Sequence, residues 1–137
     1  MRHFLTFSAA ACLLTGPAFA QDYLDFQSPT GNIKCAIYSG GDEASVRCDM
    51  SKLTPSYRKR PAGCEFDWGS SFAVDRIGKG YLACVSDPAT NGNEPVLGYG
   101  QSVSLGGIAC VSAKTGVTCT NADGHGFSIA KAKQKLF

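Results

Sequence analysis

His125, held between Gly124 and Gly126, is the residue best suited to proton transfer, because an imidazole changes charge near neutral pH. The chain of 137 residues has one other histidine, His3, inside an N-terminal stretch that reads as a removable leader. On a glycine-flanked turn His125 could act as a general base or touch a ligand, with Asp123 or Asp87 as its orienting acid. A hydrolase would also need an activated nucleophile, and no Gly-x-Ser-x-Gly elbow or comparable motif is present. A turn histidine whose ring bonds locally is the commoner arrangement. Glu65 and Asp67 lie two apart, which on a strand puts both on one face, as glycosidase or Ca²⁺ chemistry would require. The polar side of a half-buried strand has the same spelling. Arg58-Lys59-Arg60 beside Tyr57 forms a short basic run, and Lys131, Lys133 and Lys135 make the tail basic. Tyr57, Arg58, Arg60 and His125 are therefore the binding candidates, for an anionic polymer or lipid head group.

Cysteines exclude other chemistry. Of seven, Cys12 falls in the leader, which leaves Cys35, Cys48, Cys64, Cys84, Cys110 and Cys119. No Cys-x-x-Cys pair occurs and only His125 could join them, so neither a metal site nor a cofactor is expected. An even six in an exported chain reads as three disulfides.

The leader is tripartite: Arg2, an uncharged apolar run from Phe4 to Leu14, then Ala18-Phe19-Ala20. This spells a signal peptide over 1–20, cleaved between Ala20 and Gln21, and too short to span a bilayer. A lipoprotein anchored at Cys12 is the alternative, with a shorter apolar run. The remaining 21–137 has the size of one domain. Removing the leader takes one basic residue and no acid, so 13 basic side chains become 12 against 11 acidic, formally +1. Such a balance disfavours nucleic acid as a partner. An envelope or extracellular protein, glycan or lipid is expected instead, and no later run is long enough to cross a membrane as a helix.

Short alternating runs must position these residues. Ile33, Cys35 and Ile37 alternate with polar or small neighbours, as do Val46, Cys48 and Met50, then Cys64, Phe66 and Trp68, then Leu82 and Cys84. Phe127-Ser128-Ile129 suggests a last strand. Period-two spacing between Gly, Asn, Asp and Pro predicts half-buried strands, with Trp68 turned into the core. Only Thr54–Arg60, as a turn or short 3₁₀ piece, and the tail Ala130–Leu136 admit a helix. The class is all-β: a small disulfide-stapled antiparallel domain, hairpins forming a barrel or a sandwich, with a short C-terminal helix.

Gly-x-Ile-x-Cys occurs at Gly31–Cys35 and Gly106–Cys110, each followed by Val-x-Cys at Val46–Cys48 and Val117–Cys119; Gly80–Cys84 reads Gly-x-Leu-x-Cys. The pattern is a recurring hairpin. Placing Cys35 opposite Cys48 sets Ile37 against Val46 and Ile33 against Met50, and leaves Gly41-Asp42 as a two-residue turn. Placing Cys110 opposite Cys119 leaves a four-residue loop, Ala113–Gly116. Cys64 and Cys84 pair by elimination. Bridges in another order between sheets are the alternative. Each bridge would contribute about 2 to 4 kcal/mol, against about 5 to 15 kcal/mol for a whole domain.

Phe26-Gln27-Ser28-Pro29-Thr30-Gly31-Asn32-Ile33-Lys34-Cys35, Val46-Arg47-Cys48-Asp49, Asp67-Trp68-Gly69, Leu97-Gly98-Tyr99-Gly100, Gly116-Val117-Thr118-Cys119 and Gly124-His125-Gly126-Phe127 together resemble a family of small exported bacterial domains of unknown function. The likeness spans Phe26 to Phe127. Thr30 stands where that family often has Ser, and Ala130-Lys131 where it often has Ser-Arg. The resemblance implies an exported, disulfide-bonded domain and no particular activity. Missing catalytic groups and abundant loops then favour a non-enzymatic binding or interaction module of the envelope. The rivals are a small secreted hydrolase using His125 and a structural envelope component.

Overall fold

Glycine at the turns lets short alternating runs fold back on themselves, and within each sheet every strand pairs with its neighbour in sequence. The computed structural model describes Gly16 and residues 22–137; the rest of the stretch read as a leader, the cleavage point expected between Ala20 and Gln21, and Cys12 lie outside them. Among the described residues ten strands form two antiparallel meanders. The first sheet holds β1 (Asp22–Gln27), β2 (Ile33–Gly40), β3 (Glu43–Met50), β4 (Ser71–Asp75) and β5 (Tyr81–Leu82) in that order. The second holds β6 (Ser102–Leu105), β7 (Ile108–Ala113), β8 (Gly116–Thr120), β9 (Gly126–Ile129) and β10 (Gln134–Leu136). Their apolar faces close on each other as a sandwich, not a closed barrel.

The two sheets repeat one another residue by residue. Across the first runs a row of facing residues, Phe26, Cys35, Cys48, Phe72 and Leu82. Across the second runs Val103, Cys110, Cys119, Phe127 and Leu136. Equivalent members meet between the layers: the Phe72 and Phe127 rings lie 6.5 Å apart, and Cys48 Sγ is 3.9 Å from Cys119 Sγ. The recurring hairpin in the sequence is thus the centre of a duplicated five-stranded unit.

Three disulfides join Cys35 to Cys48, Cys64 to Cys84, and Cys110 to Cys119. The first and third link directly opposed strand residues, with Cα atoms 4.0 and 4.1 Å apart, and their four cysteines are fully buried. Ile37 faces Val46 and Ile33 faces Met50. Gly41, at φ 61°, opens the two-residue turn, a conformation that costs glycine little.

Four expectations are corrected. The tail is β10, not a helix: Gln134 is buried and its side-chain N–H donates to Thr54 O and Ala130 O, which fixes an extended edge strand. Cys64–Trp68 is not a strand; it belongs to an irregular connection, where Phe66 is 61% exposed and Trp68 only half-buried. Gly80–Cys84 yields only the two-residue β5, and Cys84 leaves the sheet to reach Cys64. The β7–β8 turn has two central residues, Lys114 and Thr115, because Ala113 already pairs with Gly116.

Candidate functional site

Strand ends put side chains at two poles. At one pole the β1–β2 turn, the end of β3, the β7–β8 turn and the β9–β10 turn surround a cleft of about 440 Å³, within the range of small-ligand sites. Its wall is built from turns that spend their backbone groups on each other. Ser28 N–H donates to Ile33 O, and Gly31 N–H to Ser28 O, while Ser28 Oγ accepts from Ile33 N–H at 3.1 Å. Asn32 clasps the next strand end: its Nδ2 donates to Lys52 O at 2.9 Å and its Oδ1 accepts from Lys52 N–H at 2.8 Å. Thr54 N–H donates to Lys131 O. Across the opening, Tyr99 rides a turn closed by Gln101 N–H to Gly98 O and tied to β7 by Gly100 N–H to Ser112 O.

The chemistry left over is cationic and hydroxylic. Lys52, Lys114 and Lys131 line the cleft, all exposed, with Ser28, Thr30, Ser51 and Thr115 between them and Tyr99 46% exposed. No carboxylate belongs to the lining, and among the described residues none of these lysines has an acidic partner within 4.0 Å. Such a pocket favours a ligand carrying negative charge and hydroxyl or carbonyl groups.

The opposite pole is its control. There the β2–β3 turn and the end of β4 enclose a cavity of about 430 Å³, lined by Asp42, Glu43, Asp75, Arg76, Tyr38 and Ile77. Each end thus carries a hollow of similar size, the far one built from the first sheet alone, and the two differ in charge. At the cleft pole, turns and connections carry Lys52, Arg58, Lys59, Arg60, Lys114, Lys131 and Lys133 against Glu65, Asp67, Asp87 and Glu94, formally +3. The far pole carries Asp22, Asp42, Glu43, Asp75 and Asp123 against Arg76 and Lys79, formally −3. A nearly neutral chain is strongly polarised.

Tyr81 and Glu94 are among the ionisable groups tuned by their surroundings. Tyr81 donates its hydroxyl to Asp75 Oδ1 at 2.9 Å; burial first, then that bond and the Asp75 charge, push its pKa up to about 12. Glu94 is buried under the outer face of the first sheet, where Oε1 accepts from Gly92 N–H. Its Oε2 has no hydrogen-bond partner, and Lys34 Nζ stands 3.9 Å away. The Thr90 hydroxyl is the main reason its carboxyl stays below the usual carboxylate range; the Glu94 and Gly92 N–H groups and Lys34 act the same way, against burial.

Of the residues singled out from sequence, His125 and Asp123 share a loop, their backbone N–H groups both donating to Asn121 Oδ1; the others lie apart from that loop. His125 closes the β8–β9 loop at the acidic pole, where its backbone N–H donates to Asn121 Oδ1. No carboxylate among the described residues lies within 4.0 Å of its ring. Asp87 sits on the cleft side, its carbonyl accepting from Arg47. Tyr57 is half-buried against the core and its hydroxyl accepts from Leu136 N–H at 2.8 Å. Arg60 donates to Cys64 O at 3.1 Å and lies over the Trp68 ring, 5.9 Å from its centroid. Arg58 stays exposed outside the cleft. Among the described residues no group of three or more His, Cys, Asp or Glu could hold a metal ion, and no helix is long and apolar enough to cross a membrane.

Sequence reading missed Lys52, Lys114, Lys131 and Tyr99 as a set. The signal was indirect: three of the stretches that carry the resemblance, around Ser28–Ile33, Leu97–Gly100 and Gly116–Cys119, converge on this cleft. A family model described as a family of unknown function (DUF6636) matches residues 7–137. No curated protein and no solved structure matches the chain.

Proposed function

Because the chain belongs to that family, whose description assigns no activity, we propose a function from the site alone: an exported, non-enzymatic binding module of the cell envelope that recognises its partner with the basic pole. The carrying observation is the carboxylate-free cleft ringed by three lysines with no acidic partner among the described residues, set against an acidic hollow of similar size at the other end. Three bridges fit an oxidising compartment. His125 lies at the pole opposite Asp87, and Asp123, its neighbour in the β8–β9 loop, makes no ion pair with its ring among the described residues, so the hydrolase reading has less support than binding.

Retention on separated lipid, glycan and protein fractions of the envelope tests this. Wild-type protein should be retained by at least one fraction in a salt-sensitive way. The K52E/K114E/K131E variant should lose retention, and a far-pole D42N/E43Q variant should keep it. Equal retention of all three proteins, or none by wild type, would refute the proposal.

A further inference from the structure

The cleft also carries information about what it takes, and this inference rests on the reading just given. We infer that its ligand is an acidic oligosaccharide, a short run of sugar rings bearing carboxylates. Charge calls for an anion: Lys52, Lys114 and Lys131 stand on three separate turns, and no acid is interleaved with them. Three point charges spread around a cleft suit an acid repeated along a chain better than a single small ion, which one or two of them would satisfy.

The rest of the lining selects among anions. An acyl chain or an apolar peptide side chain needs a greasy groove, yet the only aliphatic side chain here larger than alanine is Ile33, which is 3% exposed. What is offered instead is hydroxyl: Ser51 and Thr115, each able both to donate and to accept, beside Thr30, whose Oγ1 also holds Asn32 N–H. Sugar hydroxyls have the same dual character. Tyr99, 46% exposed on a turn pinned at both ends, adds a flat apolar surface with a polar tip, the shape against which the C–H face of a sugar ring packs. The N–H groups along this wall are already taken, Ser28 by Ile33 O, Gly31 by Ser28 O, Asn32 by Thr30 Oγ1 and Ile33 by Ser28 Oγ, so recognition falls to the side chains that remain. The cleft opens to solvent.

Titration of the folded, oxidised protein with tri-galacturonate, followed by NMR, tests this, with a neutral trisaccharide, inorganic phosphate and phosphatidylglycerol vesicles as comparison probes. Tri-galacturonate should shift the resonances of Tyr99 and Thr115 and bind more tightly than the neutral sugar or phosphate. Each Lys→Gln change at 52, 114 or 131 should weaken it about two- to fivefold, as for exposed ion pairs. Y99A should weaken it while Y99F retains it, and D42N/E43Q should change nothing. Binding that phosphate matches, or that Y99A leaves intact, would reduce the cleft to a plain anion patch and overturn the sugar assignment. Binding to the vesicles alone would overturn it too, while leaving the basic-pole reading standing. A K52E/K114E/K131E variant that still bound every probe would remove both.

Discussion

Deleting the Cys64–Cys84 bridge should loosen the loops without opening the sandwich. The chain-entropy relation assigns its 20-residue separation about 3.3 kcal/mol, against about 2.9 and about 2.6 kcal/mol for separations of 13 and 9. Entropy alone therefore makes it the most valuable of the three. The native side reverses that order. Cys35, Cys48, Cys110 and Cys119 are fully buried between the sheets, whereas Cys64 and Cys84 are half-exposed and bind irregular segments. Replacing a buried pair with alanine adds a packing loss, taken as similar to a deleted methyl, of about 0.5 to 1.5 kcal/mol per sulfur. C64A/C84A should then cost about 3.3 kcal/mol, roughly 10 to 20 °C in Tm for a domain of this size. C35A/C48A should cost about 4 to 6 kcal/mol. Urea unfolding followed by far-UV circular dichroism measures both. Amide exchange in C64A/C84A should rise over 51–70 and 83–101 while the β2–β3 and β7–β8 ladders stay protected. Dithiothreitol without denaturant should expose only Cys64 and Cys84 to alkylation, since exchange needs access to a sulfur. Equal costs for the two double variants, or simultaneous reduction of all three bridges under native conditions, would refute the argument.

Tyr81 offers a test at high pH. Its folded-state pKa of about 12 exceeds the ordinary 10, so its contribution is complete below about pH 10 and is lost as pH rises through 12. Absorbance titration should show one phenol ionising last; D75N should bring it down, and no late phenol in the wild type would contradict the geometry. Glu94 behaves in the opposite sense: its depressed pKa makes its contribution present above the usual carboxylate range and lost on acidification. Thr90→Val should raise that pKa by NMR titration, and an unchanged value would remove Thr90 as the principal cause. Y57F leaves the Leu136 N–H without its acceptor and should cost about 1 to 3 kcal/mol in urea unfolding, less than 0.5 kcal/mol meaning that water replaces it. Gly126→Ala would drive a methyl into the Cys119 carbonyl, so the variant should fail to fold or lose most of its stability; near-normal Tm would mean the β8–β9 approach is looser than described.

The strands and their register were legible in the sequence where two signals agreed. At β2–β3 the alternation of Ile33, Cys35 and Ile37 matched that of Val46, Cys48 and Met50, and Gly41-Asp42 fixed the turn. At Cys64–Trp68 the alternation was present but no partner strand was, since β4 is already flanked by β3 and β5. A period of two is necessary for an edge to form and does not supply one. The tail misled for a similar reason: Ala130–Leu136 has helix-forming residues, yet Gln134 gains more by bridging Thr54 and Ala130 than a single exposed helical turn could offer. The cleft was hidden because its lysines lie 62 and 17 positions apart on turns with no common motif. What brings Lys52, Lys114 and Lys131 together is the facing of two meanders, which no local pattern encodes.

All three sulfur links close loops within a half: Cys35–Cys48 and Cys64–Cys84 lie in β1–β5 or its connections, and Cys110–Cys119 lies in β6–β10. Past Cys84, the sole covalent tie between the layers is the run up to Ser102. A protease cutting within that run would produce two separately cross-linked pieces, each a complete sheet, joined thereafter without any covalent link, by packing and by hydrogen bonds such as Thr54 N–H to Lys131 O and Gly80 N–H to Phe137 O. The same geometry allows two molecules to exchange sheets, the run serving as hinge, so that each reconstituted sandwich draws one layer from either parent.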